Sequence, residues 1–139
     1  MEPIKVLIVD DEVEFLETVV KRLRKRNLDA TGVTSGEAAL DQLAKSPVDV
    51  VVLDVKMRGI SGLETLREIK RKHHPVEVIM LTGHASMEAA MQGMALGAFD
   101  YLMKPAQIDE LVGKIEDARR TLTLAEKRHE LGPRAVSNS

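Results

Sequence analysis

The sequence predicts an α/β fold, a doubly wound parallel sheet with helices on both faces. Four short runs rich in Val and Ile, at residues 4–9, 48–53, 76–81 and 99–103, lack the strict alternation of a strand with one wet face, so they suit strands covered on both sides. Helix-period patterns separate them, and alternating strands and helices with short links imply parallel pairing through right-handed crossovers. Size is the third observation: 139 residues, 44% hydrophobic, suffice for one continuous core and are expected to leave no room for a second folded module.

The first strand, at 4–9, is far too short for a membrane span, and acids follow it where a secretory leader would need a cleavage region. A helix over 12–26 buries Phe15, Val19 and Leu23, with Leu16 and Val20 widening the stripe. Its basic end, KRLRKR, complements the helix dipole and reads as a solvated face rather than a nucleic-acid patch. Residues 29–33 make a poorer strand, whose polar content places it at an edge. Ser35 caps a second helix through Lys45. A third helix over 62–72 turns Leu63, Leu66 and Ile69 inward, and His73 and His74 cap its end rather than share a metal. Ser86 opens a fourth, where Met87, Met91 and Met94 form a stripe suited to packing on the sheet or to an adaptable partner surface. The weak strand at 99–103 carries Phe99 and Tyr101 on alternate sides. Ile108, Leu111, Val112 and Ile115 mark a fifth helix, and its pattern continues through Leu122, Ala125 and His129 to about Gly132, where GPRAVSNS reads as a stop and a loose end.

Composition removes several function classes. The formal charge of −2 carries no basic footprint for nucleic acid, and two Phe with one Tyr are too few rings for a base-stacking platform. Without cysteine there is no disulfide, thiol nucleophile or thiolate metal site, so chemistry must come from oxygen and nitrogen groups, and the reducing cytoplasm is the expected compartment.

Ligands of an open α/β sheet bind outside the carboxyl ends of its strands. The residues at those ends are Asp10 and Asp11, Asp54, Thr82, and Lys104 followed by Pro105. Each alone has a plain structural explanation as a cap, a turn former or a solvated cation. Together they do not, because carboxylates brought close repel one another and need a positive partner. A hard divalent cation such as Mg²⁺ suits an oxygen-only cluster. Asp54, alone at the end of the central apolar strand, is the best nucleophile toward phosphorus; Asp10 and Asp11 are better metal holders; Lys104 and Thr82 can meet phosphoryl oxygens.

The stretches VLIVDDE at 6–12, VVLDVKMRGISGLETL at 51–66, MLTGHAS at 80–86 and GAFDYLMKP at 97–105, in this order and spacing, closely resemble the receiver domain of two-component response regulators over about residues 4–120. The resemblance implies a flavodoxin-like (βα)5 fold with strand order 2-1-3-4-5, a receiver domain at 1–121, and an extended helix with a loose tail at 122–139. It implies that Asp54 accepts a phosphoryl group from a sensor histidine kinase or phosphotransfer protein. Mg²⁺ would be held by Asp11, by Asp10 mainly through water, by Asp54 and by the backbone carbonyl of Lys56. Thr82 resembles the switch hydroxyl, Lys104 the cation that pairs with the phosphoryl group, and Tyr101 the switch aromatic; the Lys104–Pro105 bond would be cis.

Two departures stand out: Arg58 replaces a common proline, expected to loosen the loop after the acceptor, and Ala106 replaces a common Phe. Lys56 and His84 flank the path of attacking water and are expected to set the phosphoryl lifetime. Signalling is expected through the fourth helix, fifth strand and fifth helix, toward a protein partner, an output or a second copy of the chain, with the long fifth helix as the other dimerisation element. Direct contact with nucleic acid or membrane is not expected. Among enzymes, a haloacid-dehalogenase-type phosphohydrolase would need an acid where Lys56 stands, and a flavin mononucleotide site would need a Gly- and hydroxyl-rich loop where Asp10, Asp11 and Glu12 stand.

Overall fold

The computed structural model describes residues 2–72 and 75–137, the side chains of His84 and of 125–137 excepted. In chain order the elements are β1 (Lys5–Val9), α1 (Val13–Lys25), β2 (Asp29–Val33), α2 (Gly36–Lys45), β3 (Val50–Asp54), α3 (Gly62–Lys72), β4 (Glu77–Thr82), a 3-10 turn (His84–Ser86), α4 (Met87–Ala95), β5 (Asp100–Met103) and α5 (Ile108–Ser137). The five strands pair in parallel in the order β2-β1-β3-β4-β5, as expected. Because the strand order reverses direction at β1 and β3, their carboxyl ends open a crevice there.

Side chains alternate across the sheet and build two cores. Val6, Ile8, Val50, Val52, Ile79 and Leu81 face Leu16, Leu23 and Ile115 of α1 and α5. Leu7, Val9, Val51, Leu53, Val78 and Met80 face Ala39, Leu43, Leu66 and Ile69 of α2 and α3. Every residue of β3 is buried, whereas β2 at the edge is partly exposed. Each fully buried Leu or Ile contributes about 1.5–3 kcal/mol from apolar burial, so this double-sided packing holds the strand ends in place. Phe99 packs into the first core and Tyr101 into the second. Phe99 precedes the first paired residue of β5, so the pleat does not bind it to the face of Tyr101.

Helix ends carry local signals. Ser35 Oγ accepts from Ala38 N–H at 3.0 Å. Ser61 and Glu64 form a reciprocal capping box, with Glu64 N–H donating to Ser61 Oγ at 3.1 Å and Ser61 N–H to Glu64 Oε1 at 3.3 Å. Gly97 closes α4: its N–H bonds Met94 O at 3.1 Å and that of Ala98 bonds Gly93 O at 3.0 Å, with φ of 104° at Gly97. Two basic residues at the end of α1 serve as staples, Arg24 Nε donating to Ala30 O at 2.9 Å and the C-cap Arg26 pairing with Asp109 of α5.

Three expectations are adjusted. Ser86 stands at the N-cap of α4, but a 3-10 turn precedes it and its side chain makes no cap bond. The helix α5 passes the expected stop at Gly132 and runs to Ser137. Gly and Pro both accept helical φ, so a Gly-Pro pair biases a helix toward ending without forbidding continuation. The methionine stripe is divided: Met94 packs against the second core, whereas Met91 is exposed. His73 and His74 lie outside the described residues, as do the side chains of Ala125 and His129.

A Cβ on Gly62 would lie 2.5 Å from Asp54 O and 2.7 Å from Val55 Cα, so only glycine lets α3 start against the backbone that follows β3. Gly62→Ala is therefore expected to cost about 1–3 kcal/mol through forced backbone displacement. Gly113→Ala on α5, where an added Cβ meets nothing within 4 Å, should instead stabilise by about 0.5–1 kcal/mol. Urea unfolding midpoints of both variants check the contrast.

Candidate functional site: a carboxylate cluster at the carboxyl edge of the sheet

The sheet register brings the strand-end residues together. Asp10 follows β1, and its N–H extends the ladder to Val33 O at 3.1 Å. Asp54 ends β3 opposite Leu81 of β4. Thr82 ends β4, bracketed by Val55 N–H bonding Leu81 O at 3.0 Å and Lys104 N–H bonding Thr82 O at 2.7 Å. Lys104 follows β5 and enters a cis bond to Pro105, as expected.

Asp10, Asp54 and Thr82 are buried, and Asp11 is half-buried. Asp10, Asp11 and Asp54 each offer an oxygen within 4.8 Å of the others. Lys104 Nζ stands among them, 2.8 Å from Asp10 Oδ2, 3.5 Å from Asp54 Oδ1 and 3.6 Å from Glu12 Oε1. The other oxygen of Asp10 accepts Glu12 N–H at 2.9 Å. Asp11 Oδ2 accepts Arg58 N–H at 3.1 Å. The Thr82 hydroxyl donates to Gly83 O at 3.1 Å, so its proton is committed to the backbone rather than to Asp54.

Three contacts at the site go beyond the sequence reading. Glu12 reaches the Lys104 ammonium, Phe15 places its ring under the same ammonium at 4.4 Å, and Arg58 binds Asp11. The acidic run DDE signals Glu12. Phe15 has no local signal, because its contact joins α1 to the far end of β5. Arg58 gives the loop after Asp54 a contact with Asp11 through the N–H that proline lacks. Tyr101 is half-buried in the second core, away from the carboxylates in its contacts. Lys56 is exposed in the loop after β3; His84 opens the 3-10 turn, its side chain outside the described residues.

Burial and the neighbouring charges of Asp10 and Asp11 push the Asp54 carboxyl up to about 6, against the pull of Lys104. Burial alone would lower the Lys104 ammonium, but its hydrogen bond to Asp10 and the charges of Asp54, Asp10 and Glu12 outweigh that and raise it. The Lys104 ammonium and the exposed guanidinium of Arg58 do not balance the carboxylates of Asp10, Asp11, Asp54 and Glu12, so negative charge is in excess, and the clustered donors are all hard oxygens. This donor set fits a divalent cation such as Mg²⁺. A groove of about 720 Å³ between α1 and β2, lined by Val13, Leu16, Val20 and Gly32 among others, contains none of these residues.

Residues 6–116 match the family described as the response regulator receiver domain. The DNA-binding transcriptional regulator NtrC of Klebsiella pneumoniae is 38% identical over 111 residues, 80% of this chain and 24% of that protein. The nitrogen assimilation regulatory protein NtrX of Azorhizobium caulinodans is 35% identical over 128 residues, 91% of this chain and 28% of that protein. The chain thus spans about a quarter of the length of these curated relatives. Among solved structures, a response regulator receiver domain protein from Clostridium thermocellum superposes with a TM-score of 0.84 at 33% identity, covering 88% of this chain and 98% of that one. No helix among the described residues is long and apolar enough to cross a membrane.

Because the folded-state value of Asp54 near 6 lies above its ordinary 3.8, the unfolded chain ionises first as pH rises. Stability therefore falls between these two values and levels off above the higher one. Asp54→Asn, which cannot ionise, is expected to match the parent near pH 3 and exceed its stability by about 1–3 kcal/mol above pH 7. Urea unfolding across pH in metal-free buffer checks this; equal stability at high pH would contradict the strained carboxylate.

Proposed function

The chain belongs to the response regulator receiver domain family, and from that membership and the carboxylate cluster we propose that it is a signalling switch that takes a phosphoryl group onto Asp54. The observation that carries this reading is the convergence of Asp10, Asp11 and Asp54 on one another at the strand ends, with Lys104 in contact with Asp10 and Asp54. With its carboxyl pushed up to about 6, Asp54 stays mostly ionised at neutral pH and is a more basic oxygen than an ordinary aspartate. Its oxygen attacks phosphorus, an acyl phosphate forms, and the bond to the donor, a histidine nitrogen of a sensor kinase or phosphotransfer protein, breaks. No external substrate is turned over.

Asp10, Asp11 and Asp54, with the Lys56 carbonyl, are the groups that would hold Mg²⁺, which when bound supplies charge neutralisation for these carboxylates and for the phosphoryl oxygens. Lys104 exchanges its Asp10 partner for a phosphoryl oxygen, and Thr82 gives up Gly83 O to donate to another. The phosphorylated chain thereby favours the arrangement with both groups around the phosphate, and Tyr101, half-buried on the strand adjacent to that of Thr82 and paired with Met80, follows the movement of Thr82. The readout surface is α4, β5 and α5, addressed to a partner protein, to an output segment or to a second copy of the chain, the last also through the long α5. Longer relatives such as NtrC are named DNA-binding regulators; for this chain the output is a proposal of the same kind, and nucleic-acid contact by the residues present is not part of it. A cytoplasmic setting suits the proposed kinase partner.

Incubation with acetyl phosphate and Mg²⁺ should add one phosphoryl group by intact mass, and Asp54→Ala should abolish the gain; folded parent protein with no gain would overturn the reading. Lys56 and His84 are proposed to set the lifetime of the phosphoryl group. Replacing both by Asn or Ala should change the rate of phosphate release at least about twofold, since a polar group beside attacking water alters its positioning and charge; an unchanged rate would remove both residues from that role.

A further inference from the structure

Arg58 meets Asp11 in two chemically different ways. Its backbone N–H donates to Asp11 Oδ2 at 3.1 Å, and its Nε lies 3.6 Å from the same oxygen. The backbone donor is a fixed dipole that orients the carboxylate without adding a formal charge. The guanidinium is a full positive charge on a side chain that is 91% exposed. Asp11 is also the least buried of the three clustered carboxylates, so it is the one that solvent ions reach first.

We propose that Arg58 is a positioning residue with two opposed effects on divalent-cation binding. Its N–H fixes the orientation of the Asp11 carboxylate through Oδ2, while its guanidinium occupies the charge of Asp11 until a divalent cation displaces it. The inference rests on the reading of the cluster as a Mg²⁺ site. Orientation of a ligating carboxylate by an outer hydrogen bond raises affinity. A competing cation on the same carboxylate lowers it, by an amount that salt screens because the guanidinium is exposed. The loop after Asp54 thus sets how much Mg²⁺ the cluster needs before the dication replaces the arginine. A proline at this position could supply neither contact.

The test is Mg²⁺ titration of the intact chain, followed by calorimetry and by amide NMR shifts, with no phosphodonor present. Arg58→Ala keeps the N–H and removes the charge, so it should bind Mg²⁺ about threefold to tenfold more tightly at low ionic strength, and the gap should narrow as salt rises. Arg58→Lys restores the charge and should return most of the parental affinity, which a purely structural role for the side chain would not produce. Arg58→Pro removes both contacts and should bind more weakly than Arg58→Ala; its unfolding curve shows whether it is folded, and the Ala and Lys variants decide the charge effect without it. Equal affinities for parent and Arg58→Ala at low salt would overturn the inference while leaving the Mg²⁺ site intact. A parent chain that binds no Mg²⁺ at millimolar concentration would overturn the site itself and the inference with it, so the two failures are distinct.

Discussion

The contact between Lys104 and Asp10, 2.8 Å long and anchored in a fully buried carboxylate, is the interaction on which the edge of this molecule depends. It joins the loop after β5 to the end of β1 and brings the Lys104 ammonium to two of the three clustered acids, Asp10 and Asp54. A buried carboxylate left unpaired costs several kcal/mol, so the contact makes the cluster tolerable to the fold. It does not neutralise it. Asp54, which shares the ammonium at 3.5 Å rather than owning it, carries the residue of the imbalance as a raised pKa. That residual charge is what gives a dication, and later a phosphoryl group with its own cations, something to gain by binding.

The rest of the fold keeps this edge under tension without letting it move. Parallel strands all point their carboxyl ends the same way, so β1, β3, β4 and β5 deliver Asp10, Asp54, Thr82 and Lys104 to one rim. The two cores, packed on opposite faces, prevent the strands from sliding to relieve the repulsion. Gly62 and the Ser61–Glu64 box pin the start of α3 against the backbone of Asp54 and Val55. At the opposite rim the charges are arranged conventionally: Asp49 accepts Lys5 N–H at 2.9 Å and faces Arg119 of α5 at 3.4 Å, and Lys70 pairs with Glu77 at 3.6 Å.

Much of this was legible beforehand because its signals are local and repeated. Val- and Ile-rich runs, helical stripes and the Ser35 cap placed nearly every element within one or two residues. The candidate site residues were legible because strand ends are where an α/β sheet presents chemistry, and Asp10, Asp11, Asp54 and Lys104 do meet. What escaped reading depended on distance or on weak bias. Phe15 beneath Lys104 needs two elements far apart in the chain to be adjacent. Arg58 looked like the loss of a stiffening proline, yet its N–H and guanidinium give the loop an anchor that only the position of Asp11 could reveal. The stop at Gly132 failed because turn-forming residues bias helices and do not prohibit them.

By itself the sequence determined the α/β class, the order of its elements and the residue types at each strand end, because hydrophobic periodicity and strand-end chemistry are properties of neighbouring residues. Only the tertiary structure decided which oxygens share the single ammonium, that the Thr82 proton is spent on Gly83 O, and that Asp11 is held by Arg58. Those are matters of a few tenths of an ångström between segments that are distant in sequence, and the strength of charge interactions at such range depends on distance and burial, which no linear pattern contains.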